Sequence, residues 1–191
     1  MKTYEKLCTA DSATLEKVMR EGLAPDLDSL AGWEFKGYNS LDLTSLLGFR
    51  KFKKGFYRRA LGRNGDPAGP LVGYNVKIRQ NPLFDEWVAL EKNGVPVHHG
   101  FYEVHPAGSA AATEYADNCV LIDYGAGGNP PLDPSALLRD CLVQVSADDP
   151  DLYLGKAYLV LTAPLPIIEL KVHVFVSYFV LQRHNPVTGK D

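Results

Sequence analysis

Three stretches of this sequence hold residue types that could do chemistry. The first is Gly48–Arg59, Gly-Phe-Arg-Lys-Phe-Lys-Lys-Gly-Phe-Tyr-Arg-Arg, with six cations among four aromatic residues. Such a run can be a strand whose rings enter a core. It can also meet anionic lipid headgroups, where each surface cation is worth roughly 1 kcal/mol. Phosphate contact with base stacking is the third chemistry open to it. No nucleic-acid module accompanies the run and the chain is acidic overall, so nucleic acid is not the expected partner. The second stretch is His98-His99 with Glu103 and His105. On a strand, His99 and Glu103 are separated by two same-face steps of about 6.7 Å each, too far for one ion without a bend. His173 is the one further histidine inside a strand pattern, and no metal site is expected. The third stretch is Ile122-Asp123-Tyr124-Gly125-Ala126-Gly127-Gly128-Asn129-Pro130-Pro131. No Gly-Lys-Ser/Thr follows it and no helix opens on its glycines, so it is neither a phosphate loop nor a dinucleotide fingerprint. It reads as a shaped rim loop in which Asp123 and Tyr124 could orient a polar ligand group. There is no Gly-x-Ser-x-Gly elbow and no local Cys-His pair. Glu103, Asp123 and Asp140 could serve as bases only if a pocket gathers them. No catalytic residue is named, and enzymatic activity stays open.

The elements that must position these residues are mostly strands. Leu71–Arg79 alternates: Val72, Tyr74, Val76 and Ile78 on one side, Gly73, Asn75, Lys77 and Arg79 on the other. Similar runs occupy Trp33–Tyr38, Lys51–Arg59, Trp87–Glu91, Val97–Val104, Cys119–Tyr124, Cys141–Val145, Leu152–Leu161 and Lys171–Gln182. Beta-branched residues at period two favour strand over helix in the last of these. Lys92-Asn93-Gly94 should turn one strand into the next. Helical signals are few. Asp11 or Ser12 can cap a helix over 11–21, ended by Gly22, with Ala24–Leu30 as connector. Leu41–Leu47 could be one or two helical turns, and Asp133-Pro134 opens a short helix to Asp140. Strands alternating with long helices are absent, which excludes a parallel α/β fold.

The expected fold is therefore all-β: a mostly antiparallel barrel of about 8–10 strands, or a sandwich if the faces pack in layers. One reading of the final strand turns its even face, Val172 to Val180, into the lumen. Its odd face, with Phe175, Phe179 and Leu181, would then pack under a helix or a partner. With 191 residues and 46% hydrophobic content, one domain with a real core is expected. It divides into a helix near 11–21, a barrel near 31–184 and a tail at 185–191. Three cysteines, an odd number, do not read as a disulfide framework. Neither a signal peptide nor a transmembrane segment is read, which gives the cytoplasm as default address. The net charge of −3 conceals an asymmetry. Residues 36–79 hold ten basic and two acidic residues, a net charge of +8, while the remainder carries a net charge of −11. A ligand or lipid partner with a polar end should be sought at that basic segment.

The stretch Leu30-Ala31-Gly32-Trp33-Glu34-Phe35-Lys36-Gly37 resembles the opening strand of lipocalin-like barrels (the calycin group, with the fatty-acid-binding and nitrobindin-like branches). The resemblance covers about eight residues. It implies a barrel of eight to ten antiparallel strands that holds a small apolar ligand, with Trp33 plugging one end. On the nitrobindin-like reading His184 is a conceivable axial haem ligand, although no cofactor is assigned. The function expected is non-catalytic binding of a small hydrophobic or amphipathic molecule. Trp33, Tyr74, Trp87, Phe101 and Tyr178 would lie against it. Arg58 or Arg79 would meet its polar end, with Asp123 and Tyr124 at the rim. The alternatives are a barrel enzyme of cyclase or isomerase type, and an interaction or anionic-lipid-surface protein using residues 48–59.

Overall fold

The alternation of apolar residues closes into a barrel of eight antiparallel strands. The computed structural model describes residues 3–40, 50–60, 69–164 and 169–187. The strands are β1 (Trp33–Asn39), β2 (Lys51–Arg58), β3 (Leu71–Lys77), β4 (Glu91–Lys92), β5 (Val95–Pro96), β6 (His98–His105), β7 (Val120–Asp123), β8 (Leu138–Ser146), β9 (Asp149–Pro164) and β10 (Glu169–Pro186). Around the barrel the order is β1-β10-β9-β8-β7-β6-β3-β2, and β1 pairs β2 to close it. β4 and β5 form a separate two-stranded hairpin, turned by Asn93 and Gly94 at positive φ. The barrel, and not a sandwich, is thus the architecture.

Three short helices precede the barrel: α1 (Tyr4–Cys8), α2 (Ser12–Glu21) and α3 (Leu27–Leu30). The side chain of Asp11 accepts the Thr14 N–H at 2.8 Å and starts α2 where the capping signal placed it. α1 and α3 are additions to the expected plan. Each is too short to show a helical stripe, and α3 sits in the stretch read as a connector. The short helix after Asp133 is a single 3₁₀ segment, Pro134–Leu137, and β8 begins directly after it. The expected turns at Leu41–Leu47 lie outside the described residues. Among the described residues, no helix is long and apolar enough to cross a membrane.

Two hydrophobic layers hold the barrel. Inside, Phe35, Phe56, Tyr102, Ile122, Leu142, Tyr153, Phe179 and Leu181 pack together. Eight strands leave an interior about wide enough for side chains to fill. Outside, α1 and α2 cover the β8, β9, β10 and β1 wall with Tyr4, Leu7, Leu15, Val18 and Met19 over Val143, Leu154, Tyr178 and Val180. The reading that put the even face of β10 in the lumen is therefore reversed for the half that follows Ser177, while Val172 and Val174 keep to the inner face. Tyr178 and Val180 form the floor for the helices, and Phe179 and Leu181 face inward. A bulge between Phe175 and Ser177 shifts the alternation along β10. Simple parity carried across the whole strand is therefore broken.

The aromatic packing relies on missing side chains. A Cβ at Gly155 would collide with the Phe179 ring. At Gly73 it would collide with the Tyr102 ring and the Gly55 carbonyl oxygen. The Gly55 oxygen belongs to the neighbouring strand and cannot swing away. Gly73→Ala should therefore cost roughly 1–3 kcal/mol, seen as a lower denaturation midpoint at an unchanged slope in urea.

Candidate functional site

Inside the barrel, aromatic rings surround a polar group of four. β2 alternates inward Phe52, Lys54 and Phe56 with outward Lys51, Lys53 and Gly55. Two adjacent lysines in an alternating strand force one of them into the lumen. Lys54 is the one, and it is 2% exposed. Its Nζ lies 3.1 Å from Asp140 Oδ2 of β8 and 3.2 Å from Asn75 Oδ1 of β3. It also donates to the hydroxyl of Tyr124, which follows β7. That hydroxyl donates to Asp140 Oδ2 at 3.2 Å. Asn75 Nδ2 donates to the Gly100 carbonyl at 3.0 Å and approaches the Tyr124 hydroxyl at 3.3 Å. The rings of Tyr124, Tyr102, Phe179 and Phe52 stand 4.8, 4.9, 5.2 and 5.7 Å from the ammonium.

Burial acts on this group from both sides. It pushes the Lys54 ammonium down, with Asp140 opposing. It pushes the Asp140 carboxyl up, with Lys54 opposing. The Tyr124 phenol is likewise raised by burial and by the Asp140 charge. All three shifts favour neutral forms, as expected where water is excluded. The pair is held by close geometry and hydrogen bonds rather than by a gain over hydration.

Lys54 separates two halves of the lumen. Below it, towards the Trp33 end, Phe35 and Phe56 meet at 5.5 Å, and Phe35 and Tyr153 at 5.4 Å, with all three rings buried. Trp33 is half-buried at that end, against the same cluster, with the Arg183 guanidinium 4.7 Å over its ring. Above Lys54, Phe52 is half-buried, Lys77 is exposed, and His99 pairs with Asn75 across β3 and β6. Burial, together with Lys77 and Lys54, pushes the His99 imidazole down to about 4. The inner wall then rises beyond the end of β8. Its edge residue there, Leu138, the first of the strand, pairs with Leu159, while β9 and β10 continue as a ribbon. Leu159 faces Val174 and Leu161 faces Val172 on the continuation of the inner face. Leu161, Val172 and Val174 are 47, 45 and 42% exposed.

The nine residues nominated from sequence are dispersed. Tyr124 reaches the inner polar group, and Trp33 sits at the far end. Tyr74 lies on the outer face, stacked on His98 at 3.8 Å and bonded to Glu34 at 3.2 Å. Trp87 and Phe101 are also outside, in the cluster that the 78–97 excursion builds over β3. Tyr178 lies under α2 and bonds Glu16. Arg58 pairs with Asp28 at 2.5 Å, and Arg79 is exposed beyond β3. Asp123 pairs with Arg139 at 3.0 Å on the outer wall.

The three lysines of the basic-aromatic run are buried, Lys54 in the lumen and Lys51 and Lys53 on the outer face beneath other chain, which corrects the reading of this run as a lipid-facing surface. Lys51, Lys53 and Lys54 are 2, 8 and 2% exposed. Lys53 bonds Asn185 Oδ1 at 2.9 Å beside Glu34, and Arg59 pairs with Glu103. Lys51 has a cage of its own. Asn81 Oδ1 at 2.6 Å and the carbonyls of Pro82, Asp85 and Glu86 at 3.0, 2.8 and 3.3 Å accept from its Nζ. The Trp87 ring lies 3.7 Å away. Gly48 and Phe49 lie outside the described residues.

The outer wall carries two adjoining recesses of about 380 and 470 Å³, which share Glu114, Tyr115 and His173. Their charges are matched locally: Glu114 meets Lys171 at 3.4 Å and His173 at 3.5 Å, and Lys156 meets Glu16 at 2.7 Å. Among the described residues, no three His, Cys, Asp or Glu side chains gather to hold a metal ion. His184 is exposed, with Nδ1 2.5 Å from Asn185 Oδ1. Comparison with protein-family models, with curated proteins and with solved structures gives no match to this chain.

Proposed function

We propose that the barrel binds a small amphipathic molecule, without catalysis, in the upper half of its lumen. The polar end rests on the Lys54, Asp140, Tyr124 and Asn75 group. The apolar part runs up the inner face of β9 and β10 past Phe179, Leu159 and Val174 to Leu161 and Val172. One observation carries this reading: a buried polar floor continues directly into an apolar track that outlasts the barrel wall. From Gly155, level with Phe179, to Leu161 the track is about 20 Å long, suited to an extended chain. Ligand sites of this kind are mostly apolar, with a few fixed polar groups for orientation.

The floor also selects the kind of head group. The single positive charge of Lys54 is already balanced by Asp140 at 3.1 Å. A ligand carboxylate would bring a second anion beside the first in a low-dielectric site, which is unfavourable. An uncharged head that accepts from Lys54 or donates to Asp140 fits instead.

Native mass spectrometry of the purified protein, with organic extraction of any bound molecule, tests the proposal. Titration with dodecanol and dodecanoic acid should give a one-to-one complex that favours the alcohol at least tenfold in Kd. Leu161→Glu should weaken it about tenfold by placing a charge on the track. A protein that carries nothing and binds neither compound removes the reading.

A further inference from the structure

The polar floor contains the parts of a carbonyl-capturing amine. We propose that Lys54 forms an imine with an aldehyde-bearing amphipathic ligand. The inference rests on the lumen-binding reading above and names the class of its ligand: a neutral, long-chain or conjugated aldehyde.

Each requirement of the step has a residue in place. The nucleophile is Lys54 Nζ. The base is Asp140, whose Oδ2 is 3.1 Å away. The acid near the site of attack is the Tyr124 hydroxyl, which touches both Nζ and Asp140 Oδ2. Asn75 Oδ1, 3.2 Å from Nζ, fixes the direction of the amine. An amine attacks only when neutral. Burial moves the Lys54–Asp140 pair towards free amine and neutral acid.

The step balances within the site. The ammonium gives a proton to the Asp140 carboxylate. The amine lone pair then attacks the aldehyde carbon, and a C–N bond forms as the C=O π bond breaks. The new alkoxide takes a proton from Tyr124, which recovers one from Asp140. The resulting carbinolamine loses its hydroxyl as water, with the second proton shed by nitrogen, and leaves a C=N bond. One aldehyde and one amine become one imine and one water, with no oxidant or reductant. When the imine is protonated, it faces the Asp140 carboxylate, so the charge balance of the original ion pair is restored. The aromatic rings of Tyr102, Tyr124, Phe52 and Phe179 that surround Nζ shield the C=N bond from water. The apolar track takes up the chain.

Incubation with dodecanal followed by sodium borohydride, then peptide mass spectrometry, reads the proposal directly. One reduced dodecyl adduct per chain is expected on the peptide containing Lys54, at sub-stoichiometric aldehyde and ahead of the other lysines. Lys54→Arg, which keeps the buried positive charge, should abolish that adduct. Tyr124→Phe should slow its formation at least tenfold. Adduct spread over surface lysines, or a Lys54 peptide left unlabelled, overturns the imine. Dodecanol binding distinguishes the two failures. If it binds while Lys54 stays unlabelled, only the imine falls; if it does not bind, the lumen reading falls as well.

Discussion

Asp140→Ala should be among the most destabilising substitutions in this protein, with a loss of about 3–5 kcal/mol. The reason is the ammonium left behind. Lys54 is buried, and Asn75 and Tyr124 cannot neutralise it. The double change Lys54→Met with Asp140→Leu should restore the loss and can exceed the parent, because an apolar pair removes two desolvated charges. Urea denaturation of the two variants measures the contrast. Its pH dependence gives a second reading. Asp140 has its pKa raised in the fold, so its ionisation reduces stability as pH rises from its unfolded value through its folded one. Lys54 has its pKa lowered, so its protonation reduces stability as pH falls from its unfolded value through its folded one. The cost of the ionised pair is therefore greatest between those windows. The gain of the apolar double variant should peak between those windows and shrink towards both extremes. A double variant as unstable as Asp140→Ala alone would show that the polar group, and not its charge balance, supports the barrel.

Lys51→Met should release the 78–97 excursion from the outer wall. The Lys51 ammonium satisfies four oxygens between Asn81 and Glu86 and sits against the Trp87 ring. Hydrogen bonds to a charged donor contribute about 1.5–3 kcal/mol, and a desolvated cation over tryptophan about 2 kcal/mol. These are not additive, so a loss of roughly 2–4 kcal/mol is expected. Local opening is cheaper than global unfolding, so the effect should be regional. Amides such as Leu90 and Arg79, which bond Lys77 and Val88 across this excursion, should exchange faster with deuterium. Amides of β8 and β9 should change far less. Equal acceleration in all strands would mean that Lys51 supports the whole barrel rather than this one segment.

Period two carried most of the barrel. β3 is the clearest case: its two sets of side chains do lie on opposite faces, as the alternation of Val72–Ile78 against Gly73–Asn75 required. The Asn93-Gly94 turn and the Asp11 cap were equally local, because each depends on one or two residues and their own backbone. What alternation does not specify is which face is wet. Tyr74, Val76 and Ile78 look like a core face and are buried, yet on the outside, because residues 78–97 fold back over them. Tyr178 and Val180 are buried outside for a similar reason, under α1 and α2. Both covers come from distant or irregular chain. The polar floor was hidden by its composition. Lys54 stands in a run of six cations that masks it, although inward Phe52 and Phe56 on either side at spacing two mark it as inward too. Asp140 was considered only as a base of unknown surroundings. Of the four floor residues only Tyr124 is among those the sequence nominates for a ligand, and it reaches the inner group through its hydroxyl.

β1 and β10 are neighbours in the barrel although they stand at opposite ends of the described chain. Trp33 pairs with Pro186 and Tyr38 with Val180. The same first strand also supplies Phe35 to the central ring cluster, and the last supplies Phe179 and Leu181. The seam is therefore the strand pairing of greatest sequence separation among the described residues, and loop-closure entropy must be met before it stabilises anything. Until β10 has been synthesised, β1 and β9 each lack a partner, and the aromatic core has an open side. The chain thus folds late in synthesis, with two unsatisfied strand edges exposed beforehand. A ribosome-bound chain that stops short of residue 180 would hold every polar group of the floor and still have no interior to bury them in.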